Sequence, residues 1–144
     1  MTVLDASALL GALHDEPGRP VVENLLRGKP PPSISALNLA EVAFKLQRQG
    51  GWEAVEVRDR IDWLIVGGLQ VEPLWLVAAR RAAAIRATHY RREAAPLSLA
   101  DCVCLATAIQ LGTDVATTDP GLATVARALG IAVLAVPDSN GVRP

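Results

Sequence analysis

A chain of 144 residues with a formal net charge of −1 is long enough to bury one core without staples and exerts no global pull on nucleic acid. Its residues are 51% apolar but only five are aromatic (three Trp, one Tyr, one Phe), so Ala, Val and Leu must fill that core. No apolar stretch approaches the ~20 residues of a bilayer-spanning helix, and Asp5 interrupts the only candidate for a secretory leader. The chain is therefore expected to be soluble and cytoplasmic.

Residues 2–5, "TVLD", read as a short buried strand that runs into a helix over 6–14. "EPGRP" breaks the chain, and 20–27 reads as a second helix. "GKPPP" is a stiff linker into "SISAL", a second strand. Helical patterns cover 38–49 and 52–66, punctuated by Gly50-Gly51 and Gly67-Gly68. "LQVEPL" is a third strand, ended by Pro73. An Ala/Arg-rich helix over 75–92, a turn at "EAAP" and an apolar helix over 98–111 follow. "DVATTD" and "IAVLAV" are two further strands. The helix between them, 120–129, has Gly130 as its natural C-cap. Residues 1–144 carry no repeat and no domain boundary, and the tail over 136–144 is expected to fray.

Strands nearly continuous in Val, Ile and Leu, each separated by helix, indicate a parallel sheet covered on both faces. Right-handed crossovers make this a doubly wound α/β sandwich, whose functional crevice lies beyond the carboxyl ends of the strands. Asp5 and Asp119 sit at such ends. Glu41, in "NLAEV", and Asp101, in "LSLADCVCLATA", sit near helix starts that can face the same crevice.

Each acid also has a structural explanation. Asp5 can cap the first helix, Asn38-x-x-Glu41 and Ser98-x-x-Asp101 have capping-box spacing, and Asp119-Pro120 is an N-cap followed by proline at the first helical position. Capping alone does not require four acids to gather, and like charges at close range repel strongly in a low dielectric. A hard divalent cation explains the set. Mg²⁺ or Mn²⁺ accepts a few carboxylates, waters and a phosphate, whereas two histidines and no usable cysteine pair make zinc a poor candidate. Such a cluster suggests phosphodiester chemistry, in which a metal lowers the pKa of a bound water and delivers it in line.

The four segments, "VLDASALL", "NLAEV", "LSLADCVCLATA" and "VATTD", resemble in order and spacing the PIN-domain family, most nearly the VapC-type toxins of bacterial toxin–antitoxin pairs. The resemblance implies a PIN-like three-layer sandwich with a central parallel sheet of about five strands. It also implies an endoribonuclease that hydrolyses RNA with a metal-activated water. By motif, Asp5, Glu41, Asp101 and Asp119 match the catalytic and metal-binding acids. Ser7 and Thr117 match small hydroxyl positions that orient them, and Ser98 caps the helix carrying Asp101. The family further implies a homodimer neutralised by a VapB-type antitoxin. The helices over 38–66 are the expected contact, although Trp52, Ile61, Trp63 and Leu64 read more readily as core.

Other polar and reactive residues absorb less function. Cys102 and Cys104, two apart in an apolar helix, read as small core residues. Asp114 precedes its strand and so lies at the opposite edge. Neither His14 nor His89 is needed as a base, and Asp15, Glu16 and Glu93 read as solvated surface charge. Of fourteen basic residues twelve are Arg, and Arg80, Arg81, Arg86, Arg91 and Arg92 crowd into one stretch. They form either a solvated helix face or a surface that tracks RNA phosphates. A haloacid-dehalogenase-type phosphatase needs a second Asp where Ser7 stands. A non-toxin PIN nuclease in RNA processing, or a catalytically silent RNA- or protein-binding module, remains the alternative. A binder of phosphates, however, would profit from losing some of the four acids.

Overall fold

Strands of three or four residues form a stable sheet only if both faces are covered. The computed structural model, which describes residues 1–90 and 96–144, shows how they are covered. The elements in chain order are β1 (Thr2–Leu4), α1 (Ala6–Leu13), α2 (Arg19–Arg27), β2 (Ser33–Ser35), α3 (Ala36–Arg48), α4 (Ala54–Val66) and β3 (Gln70–Glu72). Then come α5 (Leu76–His89), α6 (Leu99–Leu111), β4 (Asp114–Thr117), α7 (Pro120–Ala128) and β5 (Val133–Ala135). The sheet has five strands in the order β3-β2-β1-β4-β5, and every pairing is parallel.

Alternation along the strands divides the core into two halves. Val3 and Val115 point into a cluster filled by α5, α6 and α7, with Leu105, Leu122 and Ile85 among its members. Leu4, Ile34 and Ala116 point the other way, into a cluster built from α1, α2, α3 and α4, including Leu9, Val22, Leu46 and Leu64. The three-layer α/β sandwich expected from the sequence is thus present, with its five-stranded parallel sheet. Cys102 and Cys104 are buried and free, as small core residues.

Local chemistry sets the boundaries. The second strand stops at Ser35, two residues earlier than "SISAL" suggests, because the Ser35 hydroxyl accepts from the Asn38 N–H and caps α3 there. Asn38 therefore lies inside the helix and is not its cap, and Glu41 sits in the second turn. The capping-box explanation of Asn38-x-x-Glu41 is incorrect. Gly130 follows α7 at φ +74°, the left-handed conformation expected just beyond a helix end. Arg91, Arg92, Glu93 and most of the "EAAP" turn lie outside the described residues.

The tail expected to fray has no regular secondary structure, but it is held. Asp138 accepts from the N–H groups of Asn140 and Val142, the Arg143 guanidinium donates to the Ala135 carbonyl, and Val136 is fully buried. Gly18, at the N-cap of α2, is in close approach to this segment. A Cβ there would lie 2.5 Å from both the Pro137 carbonyl oxygen and Val136 Cγ1. Gly18→Ala should therefore destabilise the protein by about 1–3 kcal/mol through overpacking, measured as a fall in the urea midpoint without a change in slope. An unchanged midpoint would show that the tail is not packed against α2.

Candidate functional site

The chain leaves β1 for β2 on one side and returns through β4 on the other, so the strand order reverses between β1 and β4. Doubly wound sheets open a crevice at that point, beyond the carboxyl ends of the strands. Asp5 occupies it. The residue extends the ladder by donating its N–H to the Ala116 carbonyl at 2.9 Å, and its carboxylate caps α1. Only 2% of Asp5 is exposed, so its charge depends on local donors.

Three elements supply them. The Ser7 hydroxyl donates to Asp5 Oδ2 at 2.5 Å, beside the Ser7 N–H at 3.3 Å. Thr117, at the end of β4, donates to the same oxygen at 3.1 Å. Asn38 Nδ2 reaches Oδ1 at 3.4 Å, and Asn38 is itself held by the Ser35 hydroxyl. Ser7 and Thr117 lie 3.3 Å apart and bind the following turn, through the Thr118 N–H to Ser7 Oγ and the Asp119 N–H to Thr117 Oγ1. The end of β1, the start of α1 and the end of β4 are thus one hydrogen-bonded network.

The other acids border it. Asp101 forms the capping box expected of Ser98-x-x-Asp101, with the Asp101 N–H on Ser98 Oγ at 3.0 Å and the Ser98 N–H on Asp101 Oδ2 at 2.6 Å. Asp119 caps α7 by accepting from the Leu122 N–H on Oδ1 at 2.8 Å. Each of these caps commits one carboxylate oxygen and leaves the other directed elsewhere. Glu41, in the second turn of α3, caps nothing. Its Oε1 meets Lys45 Nζ at 2.7 Å, and its Oε2 is buried without a hydrogen-bond partner.

Electrostatics shows that these acids share one field. Burial raises the Asp101 carboxyl, the two bonds to Ser98 lower it, and the charges of Asp119 and Glu41 raise it further. For Asp5, burial pushes the carboxyl up from 3.8 to about 6, opposed by the bonds from Ser7 and Thr117 and reinforced by the charge of Asp101. Beneath them the Cys104 thiol is pushed well above its usual range by burial first, then by Asp5, Asp101 and Glu41. Buried and free, the thiol is held in its neutral form.

A family model of the PIN domain matches residues 2–128. The chain belongs to the PIN-domain family. This PIN domain is similar in structure to FitAcB from Neisseria gonorrhoeae, with a TM-score of 0.67 and 25% identity over 93% of this chain and 96% of that one. It is also similar to VapC20 from Mycobacterium tuberculosis, a sarcin–ricin loop cleaving toxin, with a TM-score of 0.69 and 20% identity over 100% of both chains. A toxin–antitoxin complex from Klebsiella pneumoniae matches at a TM-score of 0.61 and 19% identity, over 84% of this chain and 94% of that one. No curated protein matches the chain by sequence.

Of the residues singled out in the sequence, Asp5, Ser7, Glu41, Ser98, Asp101, Thr117 and Asp119 therefore gather at this crevice. Asp114 does not, since it pairs with Thr2 at the opposite end of the sheet. The arginines divide. Arg80 and Arg81 are exposed on α5. Arg86 is a strut instead, donating to the Leu97 carbonyl at 2.5 Å and lying 4.9 Å over the Tyr90 ring. Arg91 and Arg92 lie outside the described residues. Sequence reasoning missed two side chains: Asn38, which it assigned to a cap, and Lys45, whose only signal was its place four residues after Glu41 on one helix face.

Because the folded state raises the Asp5 carboxyl, it binds that proton more tightly than the unfolded chain does. The protonated group favours folding below about pH 4, and this contribution is lost as the pH rises through about 6. The rise corresponds to roughly 3 kcal/mol. In cation-free buffer, thermal melts of Asp5→Asn should have a flatter pH profile than wild type across that window, with the variant the more stable at neutral pH. Parallel profiles would mean that Asp5 is not held in a buried, raised state.

Proposed function

We propose that this PIN domain is a divalent-metal-dependent endoribonuclease of the VapC toxin type, with Asp5, Glu41, Asp101 and Asp119 as its acids. The observation that carries the reading is the sharing of one electrostatic field by four carboxylates drawn from four elements, two of them pushed towards protonation. Capping does not explain Glu41, whose buried second oxygen lacks a partner. Among the described residues no group of three or more His, Cys, Asp or Glu side chains is placed to hold a metal ion between them. The donors are all hard oxygens, which suits a cation that takes a few carboxylates and keeps several waters. Mg²⁺ or Mn²⁺ fits this set.

Asp5, Glu41, Asp101 and Asp119 would share the cation. Bound there, such a cation supplies neutralisation of the acids and Lewis-acid activation of water for attack on phosphorus. The chain's own contribution is preorganisation. Ser7 and Thr117 fix Asp5 Oδ2, Asn38 steadies Oδ1, and the capping box with Ser98 locks Asp101 at the start of α6. Asp5 and Asp101 are thus held in place before an RNA phosphate enters.

The toxin–antitoxin likeness assigns a regulator as well. A groove of about 540 Å³ between α1, α2 and α4 is lined by Leu9, Leu13, Val22, Leu26, Trp63 and Leu64, among others, and it is the surface an antitoxin segment would cover. Trp63 is not the core residue the sequence suggests, being 62% exposed, and the groove is shared with α1 and α2 rather than confined to residues 38–66. The consecutive exposed side chains Leu74, Trp75, Leu76 and Val77, beside the edge strand β3, are the face a homodimer would bury.

The direct test is cleavage of a pool of structured and single-stranded RNAs with Mn²⁺, with Mg²⁺ or with EDTA, beside Asp101→Asn purified identically. Wild type should cut only with metal, and the variant should lose at least about 10²-fold in rate. Metal-independent cutting, or cutting that survives in the variant, would reject this assignment.

A further inference from the structure

Lys45 is one of only two lysines in the chain, and among the described residues it is the basic side chain in an ion pair with one of the four acids. Its ammonium lies 2.7 Å from Glu41 Oε1, one helical turn away, and its side chain retains 35% exposure where that of Glu41 retains 23%. On an ordinary helix face such an i,i+4 pair contributes little. Here one oxygen of the glutamate is paired and the other is buried and orphaned, and the charge of Glu41 is felt at Asp101. Arg86, on α5 in the other helix layer, is committed to the Leu97 carbonyl and the Tyr90 ring.

We propose that Lys45 acts as an internal counter-ion that competes with the divalent cation for Glu41 and, when displaced, contacts the RNA backbone. This rests on the metal-site reading above. Without metal, the ammonium offsets part of the repulsion among four acids. When a divalent cation engages Glu41, the lysine loses its partner and is repelled from the site. Its flexible stem and outward exposure let the charge move to the rim, where an approaching phosphate needs it. Lys45 is thus a positioning residue for the free site and a phosphate-contacting residue for the loaded one. No bond is made or broken in the exchange.

The two roles predict effects of opposite sign, which a merely structural ion pair would not produce. Mn²⁺ binding to wild type, Lys45→Gln and Lys45→Arg is measured by calorimetry and by the metal-induced rise in Tm. Binding of a short, labelled, mixed-sequence 2′-O-methyl oligonucleotide is then followed at saturating Mn²⁺ across a salt series. Lys45→Gln should bind Mn²⁺ roughly two- to fivefold more tightly than wild type, since a competing cation is gone. It should also bind the oligonucleotide more weakly, with a salt slope smaller by about one. Lys45→Arg keeps the charge and should retain the wild-type slope. Melts in EDTA check that all three proteins are folded. Unchanged or weaker Mn²⁺ binding by Lys45→Gln, or an unchanged salt slope, would overturn the role of Lys45 alone. If wild type itself shows neither heat nor a Tm shift with Mn²⁺, the metal-site reading fails and the proposal with it.

Discussion

A carboxylate buried at the end of a central strand must draw donors from every element that meets there, and Asp5 recruits three. Ser7 comes from α1, Thr117 from β4 and Asn38 from α3. Even so, burial outweighs these donors and leaves the carboxyl raised to about 6. The sheet order makes the arrangement workable. With β1 and β4 adjacent and the strand order reversing between them, the ends of two strands and the starts of α1, α3, α6 and α7 surround one crevice. The same fold that creates the electrostatic burden thus supplies the hydrogen-bond donors that limit it.

Capping and function coincide rather than compete here. Asp5, Asp101 and Asp119 each satisfy backbone N–H groups at a helix start, where a helix dipole favours negative charge. That is the place where several carboxylates are held side by side at least cost before any cation arrives. Glu41 lacks such support. It stands in the second turn of its helix, so it takes its compensation from Lys45 on one oxygen and from nothing on the other. Glu41 is the one member of the acidic set without a capping role, and it is there that a counter-ion is found.

The apolar surfaces lie apart from the acids. None of the four acids lines the groove among α1, α2 and α4, and the exposed run Leu74–Val77 follows the edge strand β3. Arg60 lies 5.8 Å from the Trp52 ring and 5.6 Å from that of Trp63, so the groove's tryptophans carry a cation at their mouth. Four of the chain's five aromatic residues, Phe44, Trp63, Trp75 and Tyr90, are exposed, and Trp52 is only partly buried against a core whose buried side chains are mainly Leu, Val, Ala and Ile.

The order of strands and helices and the parallel sheet were legible in the sequence, because apolar periodicity, Gly and Pro punctuation and capping spacings are local signals. The sequence also indicated the capping box of Ser98 and Asp101. It misplaced the boundary at Ser35, since "SISAL" is apolar enough for either strand or helix and only the hydroxyl's bond to the Asn38 N–H decides between them. Asn38 as a ligand of Asp5, 33 residues away, and the pairing of Thr117 with the same carboxylate, 112 residues away, belong to the tertiary structure. So do the exposure of Trp63 and the diversion of Arg86 to Leu97. Each depends on which elements the sheet makes neighbours, and on how much water that packing excludes. Periodicity along a chain records which face a residue takes, but the distance between two faces and the field across them exist only once the layers have closed.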